Sequence, residues 1–548
     1  MSLVVSSSHF FLITLCEEKS RHPAISFIDV LSDDILLEVF ICYRFYLGWE
    51  ETWSWWYKLV HTCARWRHII LDSSATLKLR LYCTYDKPIA EMLKFSPPLS
   101  LDIVFDGHRS MSVKDEEGAL LVLQQHHRVH LISLTEPGLE KLFAVMEKPF
   151  PMLEDLTLRS PDPFFHTRLP ETFSAPCLRH LDLYQVGDLF VTEIPVLDSI
   201  TGLVTLCLRG VPPLSLPVHY LVSCLSVMPQ LKNLSIGFGN ALELLPSSSS
   251  LKSHKSDPAD LQTVELPKLN KISFRGACAY LEGLVSRIRT PELACFVVTF
   301  SRRPTVPLPQ LSEFLAATEE LRYPISSLAF SGANEDNPTV SITLANSERT
   351  AVQFPDVAPF RISFPCRSRL DGQVACAARI CTALSPLLSE VERLHLNYHA
   401  TRWIRGFPEE IPREVWFDVL LPFCNVQKLQ VDTAMARELS FALCPEDEAV
   451  AEGVLPKLRK LSRPHHHRFE GMLDPFIVAR QAAGQPIAKR RRPPNPNSET
   501  ETEDEEERLG TLEWLLAAEL LACDSDEDDE EGISTELDSE SELDFESE

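Results

Sequence analysis

One phrase of apolar and polar positions recurs along most of the chain: apolar-x-x-apolar-x-apolar. It stands at Leu153-Leu156-Leu158, Leu178-Leu181-Leu183, Leu203-Leu206-Leu208, Leu231-Leu234-Ile236, Leu269-Ile272-Phe274, Leu293-Phe296-Val298 and Ile325-Leu328-Phe330. It returns at Val391-Leu394-Leu396 and Val426-Leu429-Val431, with a partial Leu458-Leu461. Starts from Leu153 to Ile325 are 25, 25, 28, 38, 24 and 32 residues apart. The alternation closing each phrase predicts a short strand with two side chains turned the same way, and the segment between phrases carries the chain back. A single such unit cannot bury its apolar side, whereas stacked units can. Upstream, Lys78–Tyr82, the LSLDIVF run ending at Phe105, and His130–Leu134 also alternate like strands, with a helix predicted over Glu117–Gln125. Between Phe330 and Val391 the phrase lapses; strands are predicted at Thr339–Leu344 and Phe360–Phe364, as an insertion or as worn repeats.

The pattern before residue 83 is helical. Ser32 precedes Asp33 and Asp34, an N-cap followed by two acids that suit the positive end of a helix dipole. Ile35, Leu36, Val39, Phe40 and Tyr43 then share one helical stripe. A second run carries Trp55, Trp56, Leu59, Val60 and Cys63, and a third carries Trp66, Ile69 and Ile70. Three short helices cannot bury this much apolar surface among themselves, so the segment packs on the rest of the chain or binds a partner.

The order Leu31-Ser32-Asp33-Asp34-Ile35-Leu36-Leu37-Glu38-Val39-Phe40, followed by Cys63-Ala64-Arg65-Trp66-Arg67-His68-Ile69, resembles an F-box. Two departures stand out: Ser32 replaces the usual proline, and Tyr43–Trp56 lengthens the link between the first helices, as in the large basidiomycete-type fungal F-box families. The resemblance covers about fifty residues and implies docking to a Skp-type adaptor and, through it, to a cullin ligase core. It points to Leu31, Ile35, Leu36, Val39, Leu59, Val60, Trp66 and Ile69 as adaptor contacts or local core, with Leu31, Ile35 and Leu36 foremost. The repeated phrase resembles a leucine-rich-repeat array, whose units run about 20–29 residues. The array is irregular: where that family sets Asn or Cys after the last leucine, this chain has Pro161, Val186, Val211, Gly239 and Ala277.

The expected fold is therefore α/β: a small three-helix F-box-like module, then an irregular leucine-rich-repeat-like solenoid, then a disordered acidic C-terminal tail. The expected boundaries are a flexible extension over 1–22, the module over 23–83, and the repeat domain over 84–462 with a flexible insert at 244–262. A basic Pro/His linker over 463–497 and the acidic tail over 498–548 follow.

Charge sharpens this division. The formal net charge is −26, but residues 499–548 hold 23 acidic residues against Arg508 alone, so that stretch supplies 22 of the negative charges. The remainder is nearly neutral, which argues against nucleic-acid binding. The 15 cysteines are scattered without a CxxC pair, as expected of reduced core thiols in a cytoplasmic or nuclear protein. Phe10–Cys16 lacks a basic flank and is followed by Glu17 and Glu18, so no signal peptide is expected, and no apolar run is long enough to span a membrane.

No P-loop, GxGxxG, HExxH or GxSxG motif occurs, so no catalytic residue, cofactor or metal site is expected. The position after each phrase reads Arg159, Tyr184, Arg209, Gly237, Arg275 and Thr299, where three arginines form a candidate basic stripe for an acidic or phosphorylated target; solvated strand-end charges are the plainer reading. Lys489, Arg490, Arg491 and Arg492 resemble a nuclear-import signal. His465–His467 read as a solvated run, and Ser525, Ser539 and Ser541 sit in acidic contexts suited to phosphorylation. The function expected is a non-catalytic substrate-recognition subunit of an SCF-type ubiquitin ligase that holds an unknown target protein, with no nucleic-acid or membrane partner. The alternatives are a non-ligase interaction scaffold and a nuclear regulator acting through the acidic tail.

Overall fold

The computed structural model describes residues 30–490, except for 47–54, 106–110, 136–139, 160–168, 185–194, 212–215, 240–262, 332–337, 367–369, 400–410, 444–453, 463–472 and gaps of one or two residues. The extension over 1–22, the serine-rich insert, His465–His467 and the acidic tail with its serines lie outside the described residues.

The chain opens with helices α1 (Asp33–Tyr46), α2 (Trp55–Val60) and α3 (Ala64–Asp72). Ser32 Oγ accepts from the Ile35 amide and Cys63 Sγ from the Trp66 amide, so both helices start on a side-chain cap. Strands β1 (Arg80–Cys83), β2 (Ser100–Phe105), β3 (Val129–Thr135), β4 (Asp155–Arg159), β5 (His180–Tyr184), β6 (Thr205–Val211) and β7 (Asn233–Phe238) follow. After a short β8 (Val264–Glu265) come β9 (Lys271–Gly276), a short β10 (Ile288–Arg289) that pairs with β8, β11 (Cys295–Phe300), β12 (Ile325–Ser331), β13 (Thr339–Ala345) and β14 (Phe360–Pro365). The last strands are β15 (Arg393–His399), β16 (Lys428–Val431), β17 (Lys460–Ser462) and β18 (Ala488–Arg490).

Sixteen of these strands form one sheet, in the order β1-β2-β3-β4-β5-β6-β7-β9-β11-β14-β13-β12-β15-β16-β17-β18. The repeated phrase sets its register. Leu156, Leu181, Leu206, Leu234, Ile272, Phe296 and Phe360 are successive partners, and so are Leu158, Leu183, Leu208, Ile236, Phe274, Val298 and Ile362. Both rows are buried, as is each phrase's leading residue, from Leu153 to Leu293. Helices returning between strands cover this inner face with residues such as Leu221, Leu284, Leu311, Ile380 and Trp416, and the other face is open except where the short helix Glu348–Val352 crosses it. The molecule is thus a mixed α/β repeat-like stack on a long, nearly all-parallel sheet.

The lapse after Phe330 has a topological cause. β12 lies three places from β11, and β13 and β14 fill the space between them. β13 runs antiparallel to both of its neighbours, and β14 returns parallel beside β11. The segment is therefore a three-stranded meander laid into the sheet in reverse order. Its strands keep the lateral register but not the phrase, because a hairpin needs no return helix and no leading leucine.

The ends also differ from the expected boundaries. β1, expected within the helical module, is the first strand of the sheet. The sheet also continues past residue 462: the helix Asp474–Ala482 buries Phe476 and Ile477, and β18 pairs with β17, so part of the expected linker is built into the stack. Arg480 is fully buried and donates through Nη2 to the carbonyls of Leu455 and Pro456, which satisfies backbone at a residue with φ of 51°.

Candidate docking surfaces

α1 presents two distinct faces. Leu36 and Phe40 are buried at 2% and 1% exposure in a cluster with Trp55, Trp56, Val60, Ile69, Ile70, Leu77, Leu79 and Leu99. Trp66 stacks edge-on against Phe40 at 5.0 Å between centroids. On the opposite face Ile35 is 50% exposed, Val39 44% and Tyr46 70%, with Cys42 exposed between them and Val30 exposed just before the helix. The spacing 35, 39, 42, 46 keeps these side chains within one narrow stripe.

The eight residues singled out in this module therefore divide. Ile35 and Val39 offer surface. Leu36, Val60 and Ile69 are core and are closed to a partner in this conformation; Leu31, Leu59 and Trp66 pack half-buried against that core. Cys42 and Tyr46 belong to the stripe and were missed because the sequence periodicity fits either face of the helix. The module also grips the sheet edge: Trp56 Nε1 donates to the Arg80 carbonyl at 3.3 Å, and Arg44 Nη1 donates to the Leu77 carbonyl at 3.2 Å. Trp53 lies outside the described residues.

The second surface is the open face of the sheet. Over β1 to β6 its charges are matched. Arg80 Nη1 reaches Asp102 Oδ2 at 3.1 Å, and His130 lies between Asp102, at 3.6 Å, and Glu154, at 3.4 Å. Burial pushes the Asp102 carboxyl up against the pull of Arg80, and it lowers His130, helped by the same arginine. Asp155 is raised to about 6, chiefly by burial, against the pull of His180. Asp182 Oδ2 accepts from Arg209 Nη2 at 2.8 Å and from Arg159 Nη2 at 3.4 Å, and Arg209 lies 6.0 Å from the Tyr184 ring centroid.

This arrangement corrects the candidate basic stripe. Arg159 and Arg209 share a carboxylate supplied by the strand between them, two residues before the position that aligns with them. Arg275 stands apart: it is exposed on β9, opposite Gly237. Asp182 was visible between Leu181 and Leu183, but its role depends on strands about 25 residues away on either side.

From β9 onward the same face carries Lys271, Arg275, Arg361, Arg393, Lys428 and Lys460, and no acidic residue among the described strand positions. Arg393, Lys428 and Lys460 are lateral neighbours. A short helix, Glu348–Val352, crosses this face above β12 and β13. Ser347 Oγ accepts from the Thr350 amide to start it, and Thr343 Oγ1 donates to the Ala351 carbonyl at 3.0 Å to hold it down. Beneath it His395 is fully buried, and neither ring nitrogen has a hydrogen-bond partner among the described residues. Its Nε2 lies 3.9 Å from Glu348 Oε1, while Lys428 Nζ lies 3.2 Å from Glu348 Oε2. Burial, with Lys428 and Arg393 nearby, pushes His395 down to about 4 despite Glu348, so the ring is neutral at pH 7. Beside the helix is a cavity of about 140 Å³, lined by Ser327, Ser341, Thr343, Val352, Arg361 and Asn397.

Lys489 and Arg490 form part of β18, and Arg491 and Arg492 lie outside the described residues. Among the described residues no group of His, Cys, Asp or Glu is placed to hold a metal, and no helix is long and apolar enough to cross a membrane.

No family model matches the chain, and no curated protein matches it. Among solved structures it is similar to the leucine-rich repeat-containing protein LegL7 from Legionella pneumophila, at 12% identity and a TM-score of 0.23, over 75% of this chain and 99% of that one.

Proposed function

We propose that this chain is a substrate-recognition subunit of an SCF-type ubiquitin ligase, docking a Skp-type adaptor through α1 and holding a target protein on the open sheet face. The observation that carries this reading is the division of α1: its inner residues complete a core, and the apolar side chains Ile35 and Val39, with Cys42 and Tyr46 along the same stripe, are exposed. The chain would contribute position rather than chemistry, since tethering raises the concentration of target lysines near a ubiquitin-charged enzyme.

The test is co-purification of the full chain with the adaptor. Changing Ile35→Asp together with Val39→Asp should cut capture at least about 100-fold, since each aliphatic side chain contributes roughly 1.5–3 kcal/mol when buried. Both residues are exposed, so the melting temperature should hold. Val227→Asp, on a distant exposed site, should leave capture intact. Capture unaffected by the double change, or no capture of the adaptor by the native chain, sinks the proposal. The second reading is a scaffold outside any ligase, favoured by the grip of Trp56 and Arg44 on the sheet edge, where the module shields the unpaired side of β1. Absence of adaptor capture would select it.

A further inference from the structure

We propose that the acidic segment Glu499–Glu548 docks within its own chain onto the basic half of the open face, β9 to β17, with a carboxylate seated at the Arg361 cavity. Three observations converge. First, the charges are complementary: the segment carries a net −22, and the described strand positions of that half carry six basic residues, of which Lys428 is paired with Glu348 above it, and no acidic one. Second, the surface holds a pre-formed place for a carboxylate. The cavity of about 140 Å³ sets the Arg361 side chain beside the hydroxyls of Ser327 and Ser341, while Thr343 Oγ1 is spent on the Ala351 carbonyl and the Asn397 amide reaches Ser327 Oγ. Third, the segment is tethered close by. The described chain leaves the sheet at β18, six places from β14, or about 29 Å at the usual strand spacing. Several tens of residues span that distance easily, and a tether of this kind gives an effective concentration on the order of millimolar. An external acidic peptide would have to compete against that concentration.

The matched half of the face is the internal contrast. Asp102, Asp155 and Asp182 already stand among its three arginines, so an acidic segment would meet carboxylates there. Docking is therefore directed to one half. An acidic target on the basic half would have to displace the tail, and phosphorylation of Ser525, Ser539 or Ser541 would strengthen the hold of the tail. None of this depends on adaptor binding, and the proposal stands or falls separately from it.

Carbodiimide coupling of lysine amines to nearby carboxylates in the full chain, at submicromolar protein and about 150 mM salt, tests it. Peptide mapping should find Lys271 and Lys460 joined to residues within 499–548 at least about fivefold more often than the exposed Lys58 and Lys148, with the preference lost at 1 M salt. Arg275→Glu with Arg393→Glu should abolish the preference; both residues are exposed, so circular dichroism should report an unchanged fold. Arg361→Gln should reduce it alone. Equal coupling at all lysines, or a preference indifferent to the double reversal, overturns the proposal. Coupling mainly between light and heavy copies in an isotopically mixed sample also overturns it, in favour of docking between chains.

Discussion

Two halves of one sheet face are built from the same repeating backbone yet treat charge in opposite ways. Over β1 to β6, Arg80, Arg159 and Arg209 each lie beside a carboxylate, Asp102 or Asp182. Over β9 to β17, six basic residues share the face, and the nearest carboxylate contact comes from above, where Glu348 meets Lys428. In the first half ion pairing between strands fixes side chains and closes off charge; such a surface offers shape and hydrogen bonds. The second half keeps a field, and a field of one sign attracts opposite charge from a distance. Lateral register makes the difference possible, because one substitution at a face position changes the neighbour of two other strands at once.

The largest expected effect breaks the matched half at its most buried point. Asp102 is 1% exposed and holds Arg80, which is itself 23% exposed. Asp102→Ala leaves the guanidinium without its acceptor and removes the carboxylate 3.6 Å from His130. Removing one partner of a buried pair costs several kcal/mol, and the residual hydration of Arg80 reduces this to about 3 kcal/mol. Urea denaturation should show the loss; a change under about 1 kcal/mol would mean that Asp102 is held neutral and the pair contributes little.

Acid separates the halves by sign. His395 is lowered to about 4 in the folded chain from 6.5, so the unfolded chain takes up its proton first. That site's stabilisation is complete above 6.5 and is lost as pH falls toward 4. Asp155 is raised to about 6 from 3.8, so the folded chain takes up its proton first; its contribution is present below 3.8 and is lost as pH rises through 6. The expected size is about 3 kcal/mol for each when measured across the window. His395→Gln should flatten the loss of stability between pH 6.5 and 4, and Asp155→Asn should steepen it. If both variants move the acid limb the same way, the assigned environments are wrong.

What could be read from residues alone followed from periodicity. Two inward side chains per phrase at a spacing near 25 residues specify parallel strands in register, and Leu156, Leu181 and Leu206 are found as lateral partners. The reversed meander was not legible, because β13 and β14 share the face pattern of strands without the leading leucine that marks a return helix. The Asp182 contacts were hidden for another reason: each arginine is more than twenty residues away in sequence, and only the lateral register brings them together. The cover over the second half was hidden too. Glu348–Val352 is five residues long, too short for a periodic signal, and its only local mark is Ser347 as a cap. On α1 the apolar period was legible, but a helix that is apolar on two faces does not say which one is buried.

The smallest effect on stability sharpens the contrast most directly. Asp182 is 18% exposed, and its two arginines keep access to solvent at 34% and 23%, so water compensates for much of what Asp182→Ala removes. The expected cost is about 1 kcal/mol. The electrostatic consequence is larger than the energetic one, because a single change removes the carboxylate that two arginines share and brings the first half closer to the second in charge. Binding of poly-glutamate in low salt, followed by fluorescence anisotropy, should strengthen several-fold in Asp182→Ala and weaken again when Arg159→Ala and Arg209→Ala are added. If Asp182→Ala leaves polyanion binding unchanged, lateral pairing is not what keeps the first half neutral, and the division of the face by ion pairing fails.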